Sequence, residues 1–97
     1  MLMYKEVIDK IINMCEGEEF DFIICEKDNS EFEYSIKVKC IWEFDSLLVI
    51  MGNIGGGFNM IFETNYNIVD RENCLRDIIT KEFEKEFSMC KFIGFYE

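Results

Sequence analysis

The chain has 97 residues, 49% hydrophobic and 15% aromatic, with 20 acids against 10 bases, no histidine and a net charge of −10. That length suits one domain with one core, burying about 60–65% of the surface of its unfolded chain. The charge argues against binding bare nucleic-acid duplex or an anionic membrane surface, and the missing histidine excludes Ser-His-Asp and Cys-His catalysis, His-based zinc sites and imidazole acid–base chemistry.

Ten Phe, four Tyr and one Trp are more large apolar surface than a small monomer must hide. Two expectations stay open: a Phe-rich core, or a face that meets a second chain. The longest apolar run, residues 47–51, has the length of a strand and cannot span a bilayer. Charges at every turn of residues 1–15 do not read as a signal peptide. The five cysteines, Cys15, Cys25, Cys40, Cys74 and Cys90, include no C-x-x-C pair, and most sit at apolar-phased positions. Buried, reduced thiols in a cytoplasmic protein are therefore expected, not a disulfide framework. The absence of Pro and the abundance of Ile, Lys, Glu, Asn and Phe fit an AT-rich coding genome, such as that of a low-GC bacterium or its phages.

In chain order, Tyr4, Val7, Ile8, Ile11, Ile12 and Cys15 fall on one helical stripe, with Lys5, Glu6, Asp9, Lys10 and Asn13 opposite. Gly17 stands where a helix commonly ends in a left-handed cap. From Phe20 the period changes to two: Phe20, Phe22 and Ile24 share one side of a strand, and Asp21, Ile23 and Cys25 the other. Lys27, Asp28, Asn29 and Ser30 predict a tight turn. Then Phe32, Tyr34, Ile36, Val38, Cys40, Trp42 and Phe44 alternate with Glu31, Glu33, Ser35, Lys37, Lys39, Ile41 and Glu43. Such alternation predicts a long strand with one buried and one wet face, in an antiparallel hairpin with the strand before it.

Asp45 and Ser46 turn the chain into residues 47–51, apolar on both sides and so expected to be a central strand covered on both faces. A glycine-rich loop over residues 52–57 leads to a fourth strand over about 58–66. Asp70 is placed to cap a last helix, with Val69 and Cys74 spaced for a hydrophobic staple. Leu75, Ile78, Ile79, Phe83 and Phe87 form its apolar stripe, and Glu72–Arg76 and Asp77–Lys81 are favourable pairs on its exposed side. The apolar tail, residues 89–96, suits a short fifth strand, a docked extension or a segment that orders on a partner. The expected fold is a single α+β domain over residues 1–97: helix, four-stranded antiparallel meander, helix, and a short fifth strand.

No motif for catalysis, cofactor or metal emerges. The glycine loop reads G-x-x-G-G-G, lacks a closing Lys-Ser or Lys-Thr, and precedes a strand rather than a helix, so a hairpin loop is favoured over a phosphate cradle. Zinc would need paired cysteines, and the nearest two, Cys15 and Cys25, are ten positions apart. Carboxylate pairs are numerous, but in so acidic a chain solvated surface accounts for them, and residues 26–31 lack the spacing of an EF-hand. A non-catalytic protein is expected.

The charge is uneven: −5 over residues 1–30, −3 over 31–64 and −2 over 65–97. Glu16, Glu18, Glu19 and Asp21 cluster at the end of the first helix, and Glu26, Asp28, Glu31 and Glu33 flank the first hairpin tip. Clustered carboxylates beside exposed aromatics imitate the spaced phosphates of a nucleic acid, and these eight residues are the expected binding surface for a basic protein partner, such as a nuclease. In size and charge alone the chain resembles small phage-encoded inhibitors, anti-CRISPR proteins among them, and immunity proteins against nuclease toxins. The alternatives are acidity that confers only solubility, and a structural module that forms a homo-oligomer through its tail and sheet face.

Overall fold

In the computed structural model, residues 4–53, 56–57 and 59–96 are described. They form α1 (Lys5–Ile12), β1 (Glu19–Glu26), β2 (Asn29–Trp42), β3 (Ser46–Asn53), β4 (Asn59–Asn65), α2 (Arg71–Glu86) and β5 (Cys90–Phe95). The five strands make one sheet in the order β4-β3-β2-β1-β5, every neighbouring pair antiparallel. The expected α+β meander is therefore present, and the tail supplies its fifth strand on the far side of β1.

Both helices pack on one face of this sheet. Val7, Ile8, Ile11 and Ile12 of α1 and Leu75, Ile79 and Phe83 of α2 are buried with Phe22, Ile24, Ile36, Val38, Cys40, Leu47, Val49 and Met51. These are the stripes that the 3.6- and 2-residue periods place together. A ring cluster locks the layers: Tyr4 lies 5.3 Å from Phe83 and 5.4 Å from Phe87, and Phe22 lies 6.0 Å from Phe87. Each such pair contributes about 0.5–1.5 kcal/mol beyond its area. Across the top of the helices Asp9 accepts from Lys5 and from Arg76, which also reaches Glu72, so one carboxylate ties α1 to α2. At the other end Arg71 lies 4.4 Å from the Trp42 ring centroid and donates to the Ile12 carbonyl at 3.1 Å.

Several local expectations are corrected. β3 is covered on one face only: Leu47, Val49 and Met51 are buried, whereas Leu48 and Ile50 lie on the helix-free face and are half-buried. α1 ends at Ile12, because Asn13 draws its own side chain back to the Asp9 carbonyl at 2.8 Å. Met14 is then buried in place of Cys15, which is exposed. Gly17 does adopt a left-handed φ of +86°, but in the following turn, where Glu18 N–H donates to the Cys15 carbonyl at 3.2 Å. Positive φ at the third residue of such a turn favours glycine. Asp70 occupies the N-cap position of α2 but makes no side-chain cap bond; it accepts from the Asn73 side chain instead, and Val69 is almost fully exposed, so no staple forms.

The first turn is tighter than expected. Only Lys27 and Asp28 lie between Glu26 and its partner Asn29. No residue other than glycine has positive φ among the described residues, so the primed turns usual in two-residue hairpins are not used, and the ladder shifts register at Cys25/Glu26 instead. Lys27 N–H donates to the Met89 carbonyl at 2.9 Å, pinning the turn to the start of β5. In the glycine-rich loop Gly52 and Asn53 belong to β3, and Ile54, Gly55 and Phe58 lie outside the described residues.

Candidate functional site

The eight acids fall into two groups at opposite ends of β1. Seven residue steps at about 3.3 Å put Glu19 and Glu26 about 23 Å apart. All eight are exposed except Asp21, which is half-buried. They therefore make two surfaces rather than one.

The group at the α1–β1 connection is partly neutralised. Glu19 pairs with Lys37 at 3.3 Å and stands opposite Lys39 in the ladder, while Asp21 stands opposite Lys37. Glu18 accepts from the Cys15 N–H at 3.4 Å. A cleft of about 380 Å³ opens here, lined among others by Glu6, Asp9, Glu18 and Glu19. Its wall includes Lys10, whose ammonium lies 4.4 Å from the Phe95 ring centroid and 5.5 Å from that of Phe20. Hydrogen bonds from Lys5 and then Arg76 hold the Asp9 carboxyl below the usual carboxylate range. That shift suits an ion-pair anchor, not a general acid.

The group at the β1–β2 tip is set differently. β2 is 14 residues long and β3 only 8, and their pairing stops at Ile36↔Asn53. Residues 33–35 then pair with β1 alone among the described strands. The molecule measures 43 × 28 × 21 Å. On this overhang Phe32 and Tyr34, expected on the buried face, are 60% and 36% exposed. Glu33, opposite Cys25, points to the other face, Glu31 is exposed in the stretch where the ladder shifts, and Glu26 and Asp28 flank the turn. Below Tyr34 a cleft of about 350 Å³ is lined by Ile24, Ile36 and Phe87, with Glu26 and Glu86 also on its wall.

Phe32 and Tyr34 are thus surface residues that alternation alone assigns to the core. The signal against that assignment is length: a strand that outruns its neighbour has no layer above its end. Glu86 could not be linked to the tip from the sequence, because only the packing of α2 on the sheet brings residues 26 and 86 to one cleft.

The helix-free sheet face carries Ile41 and Ile61, both well exposed, with Leu48 and Ile50 between them through the Ile41↔Leu48 and Ile50↔Ile61 pairs. All five cysteines are free; Cys25 and Cys40 are buried, and Cys74 and Cys90 are half-buried. Burial pushes the Cys40 thiol up to about 12, and burial, then Glu26 and Cys25, raise that of Cys90. Both are thereby disfavoured as thiolate nucleophiles. Among the described residues no cluster of Cys, Asp or Glu has the geometry to hold a metal ion, and no helix is long and apolar enough to cross a membrane. In comparisons with protein-family models, curated proteins and solved structures, the chain has no match of any of the three kinds.

Proposed function

We propose that this protein is a non-catalytic binding domain whose acidic, aromatic hairpin docks on a basic site of a partner protein, as an inhibitor or immunity-type protein would occupy a nucleic-acid-binding surface. The observation that carries the reading is the overhang of β2, where exposed Phe32 and Tyr34 alternate with Glu31 and Glu33. Exposed aromatics beside them supply the contact area that acids alone lack. The negative field would speed encounter with a basic groove and make association sensitive to salt.

Weight falls on Glu26, Asp28, Glu31 and Glu33 rather than on Glu16, Glu18, Glu19 and Asp21, because the exposed rings of Phe32 and Tyr34 stand beside the first set. Affinity capture from a host lysate at low and high salt, with mass spectrometry of the bound proteins, tests the reading. A nucleic-acid-handling protein should be retained at low salt only, and lost when the four hairpin acids are changed to Lys. Capture unaffected by those changes would contradict it. Recovery of the protein alone would favour the second reading, an oligomerising module, which the exposed row through Ile41 and Ile61 supports.

A further inference from the structure

We propose that the β2–β3 and β4–α2 connections together form a second docking surface, which sets Phe44, Ile68 and Val69 against an apolar patch of a protein partner rimmed by Lys or Arg. The inference stands apart from the acidic hairpin. Both connections lie at the other end of β2 from Glu31 and Glu33, and at the end of β3 and β4 away from residues 53–59. The two are fastened side by side. Ser46 pairs with Asn65, Tyr66 N–H donates to the Asp45 carbonyl at 2.8 Å, and the Tyr66 hydroxyl reaches the Glu43 and Phe44 carbonyls at 3.3 Å. Their backbones are therefore placed before any partner arrives, which lowers the ordering cost of binding.

The residue types do not suit connections that serve folding alone. Glu43 N–H donates to the Ser46 carbonyl at 2.9 Å, enclosing Phe44 and Asp45. Asp70 N–H donates to the Asn67 carbonyl at 3.2 Å and Val69 N–H to the Asn67 side chain at 3.0 Å, so Ile68 and Val69 are the centre of a turn. Such positions ordinarily hold Gly, Pro, Asn, Asp or Ser, each of which eases the bend; Phe, Ile and Val do not. Nor does the core account for them: Phe44 is 84% exposed, Val69 95% and Ile68 45%. One exposed apolar side chain is ordinary, but three on two tied connections make a patch of the kind that marks a contact surface.

Charge selects the occupant. Residues 43–46 and 66–72 hold four acids, Glu43, Asp45, Asp70 and Glu72, all exposed, against one base. That base, Arg71, is turned inward, 4.4 Å from the Trp42 ring centroid and donating to the Ile12 carbonyl. The patch is thus apolar with an acidic rim. Two copies meeting through it would set rim against rim, each copy carrying a net charge of −10. An anionic lipid surface would be repelled in the same way. A protein surface with apolar side chains inside a basic rim meets both parts, with Phe44 as the aromatic anchor.

Selection of a phage-displayed library of random peptides on the full chain, with counter-selection on the F44S/V69S double variant, tests this. The enriched peptides should combine Trp, Phe or Leu with Lys or Arg. In fluorescence anisotropy they should bind F44S/V69S about tenfold or more weakly than the wild type. Glu43→Lys with Asp45→Lys should weaken them by about tenfold, and by less at high salt. The thermal midpoint of F44S/V69S should stay within about 3 °C of the wild type, because both side chains are exposed. No enrichment beyond the counter-selection, or enriched peptides without basic residues, would overturn the proposal. So would a larger fall in the midpoint, which would return Phe44 and Val69 to the fold. A solution mass that drops on F44S/V69S would give the patch to a second copy, and sedimentation of the wild type but not the variant with phosphatidylcholine vesicles would give it to a lipid surface; either result overturns the protein partner.

Discussion

Asp9 accepts from a lysine on its own helix and from Arg76 on the other, and these bonds hold its carboxyl below the usual range. A carboxylate whose pKa is lowered by folding stabilises the fold above its unfolded value of about 3.9 and loses that contribution as pH falls through the folded value. Asp9→Asn should therefore cost about 1 kcal/mol at neutral pH, a modest figure because both partners are partly exposed. Urea midpoints of wild type and variant should differ near neutrality and converge as the pH drops below the folded value. A constant gap across that range would contradict the ion-pair account. Other residue-scale features are quiet in the sequence. Tyr4 lies on the predicted stripe, yet its buried hydroxyl has no hydrogen-bond partner among the described residues, and its pKa is raised, first by burial and then by Cys90 and Cys25. Nothing in local periodicity separates a ring that buries its hydroxyl from one that keeps it wet.

At the scale of elements, helices and strands were legible because amphipathic periods of 3.6 and 2 are set by backbone geometry. What periodicity cannot give is the neighbour. Phe32 and Phe44 repeat the pattern of Val38, but only Val38 has strands on both sides and helices above. The tail shows the same limit, since residues 89–96 suit a strand, an extension or an interface until β1 is seen beside them. β5 pairs with β1 and packs Phe92 and Phe95 against the core. Truncation after Ser88 would uncover the edge of β1 and part of the ring cluster. Losing two packed Phe side chains costs several kcal/mol, comparable with the whole stability of a small domain, about 5–15 kcal/mol. The shortened chain should show no cooperative thermal transition. A sharp transition with only a changed mass in solution would instead make the tail an interface.

At the scale of the whole molecule, a net charge of −10 becomes two acidic surfaces about 23 Å apart, one with Lys37 and Lys39 facing it in the ladder and the other carried on an overhanging hairpin with exposed rings. The clustering was readable from residue positions, because both groups are local in the chain. Their different settings were not, because Lys37 and Lys39 face the first group only once β2 lies beside β1, and Phe32 and Tyr34 are exposed beside the second only where β2 outruns β3. Binding would use the overhang, which the core does not need, so its residues are open to substitution without loss of the fold. The most direct measurement is the dissociation constant of the captured partner for two variants, one with Glu26, Asp28, Glu31 and Glu33 changed to Lys and one with Glu16 and Glu18 changed to Lys. The account predicts that the hairpin variant loses about a hundredfold or more, roughly 2.7 kcal/mol, and the other less than about tenfold, with both differences shrinking at high salt. Equal losses, or a larger loss from Glu16 and Glu18, would contradict it.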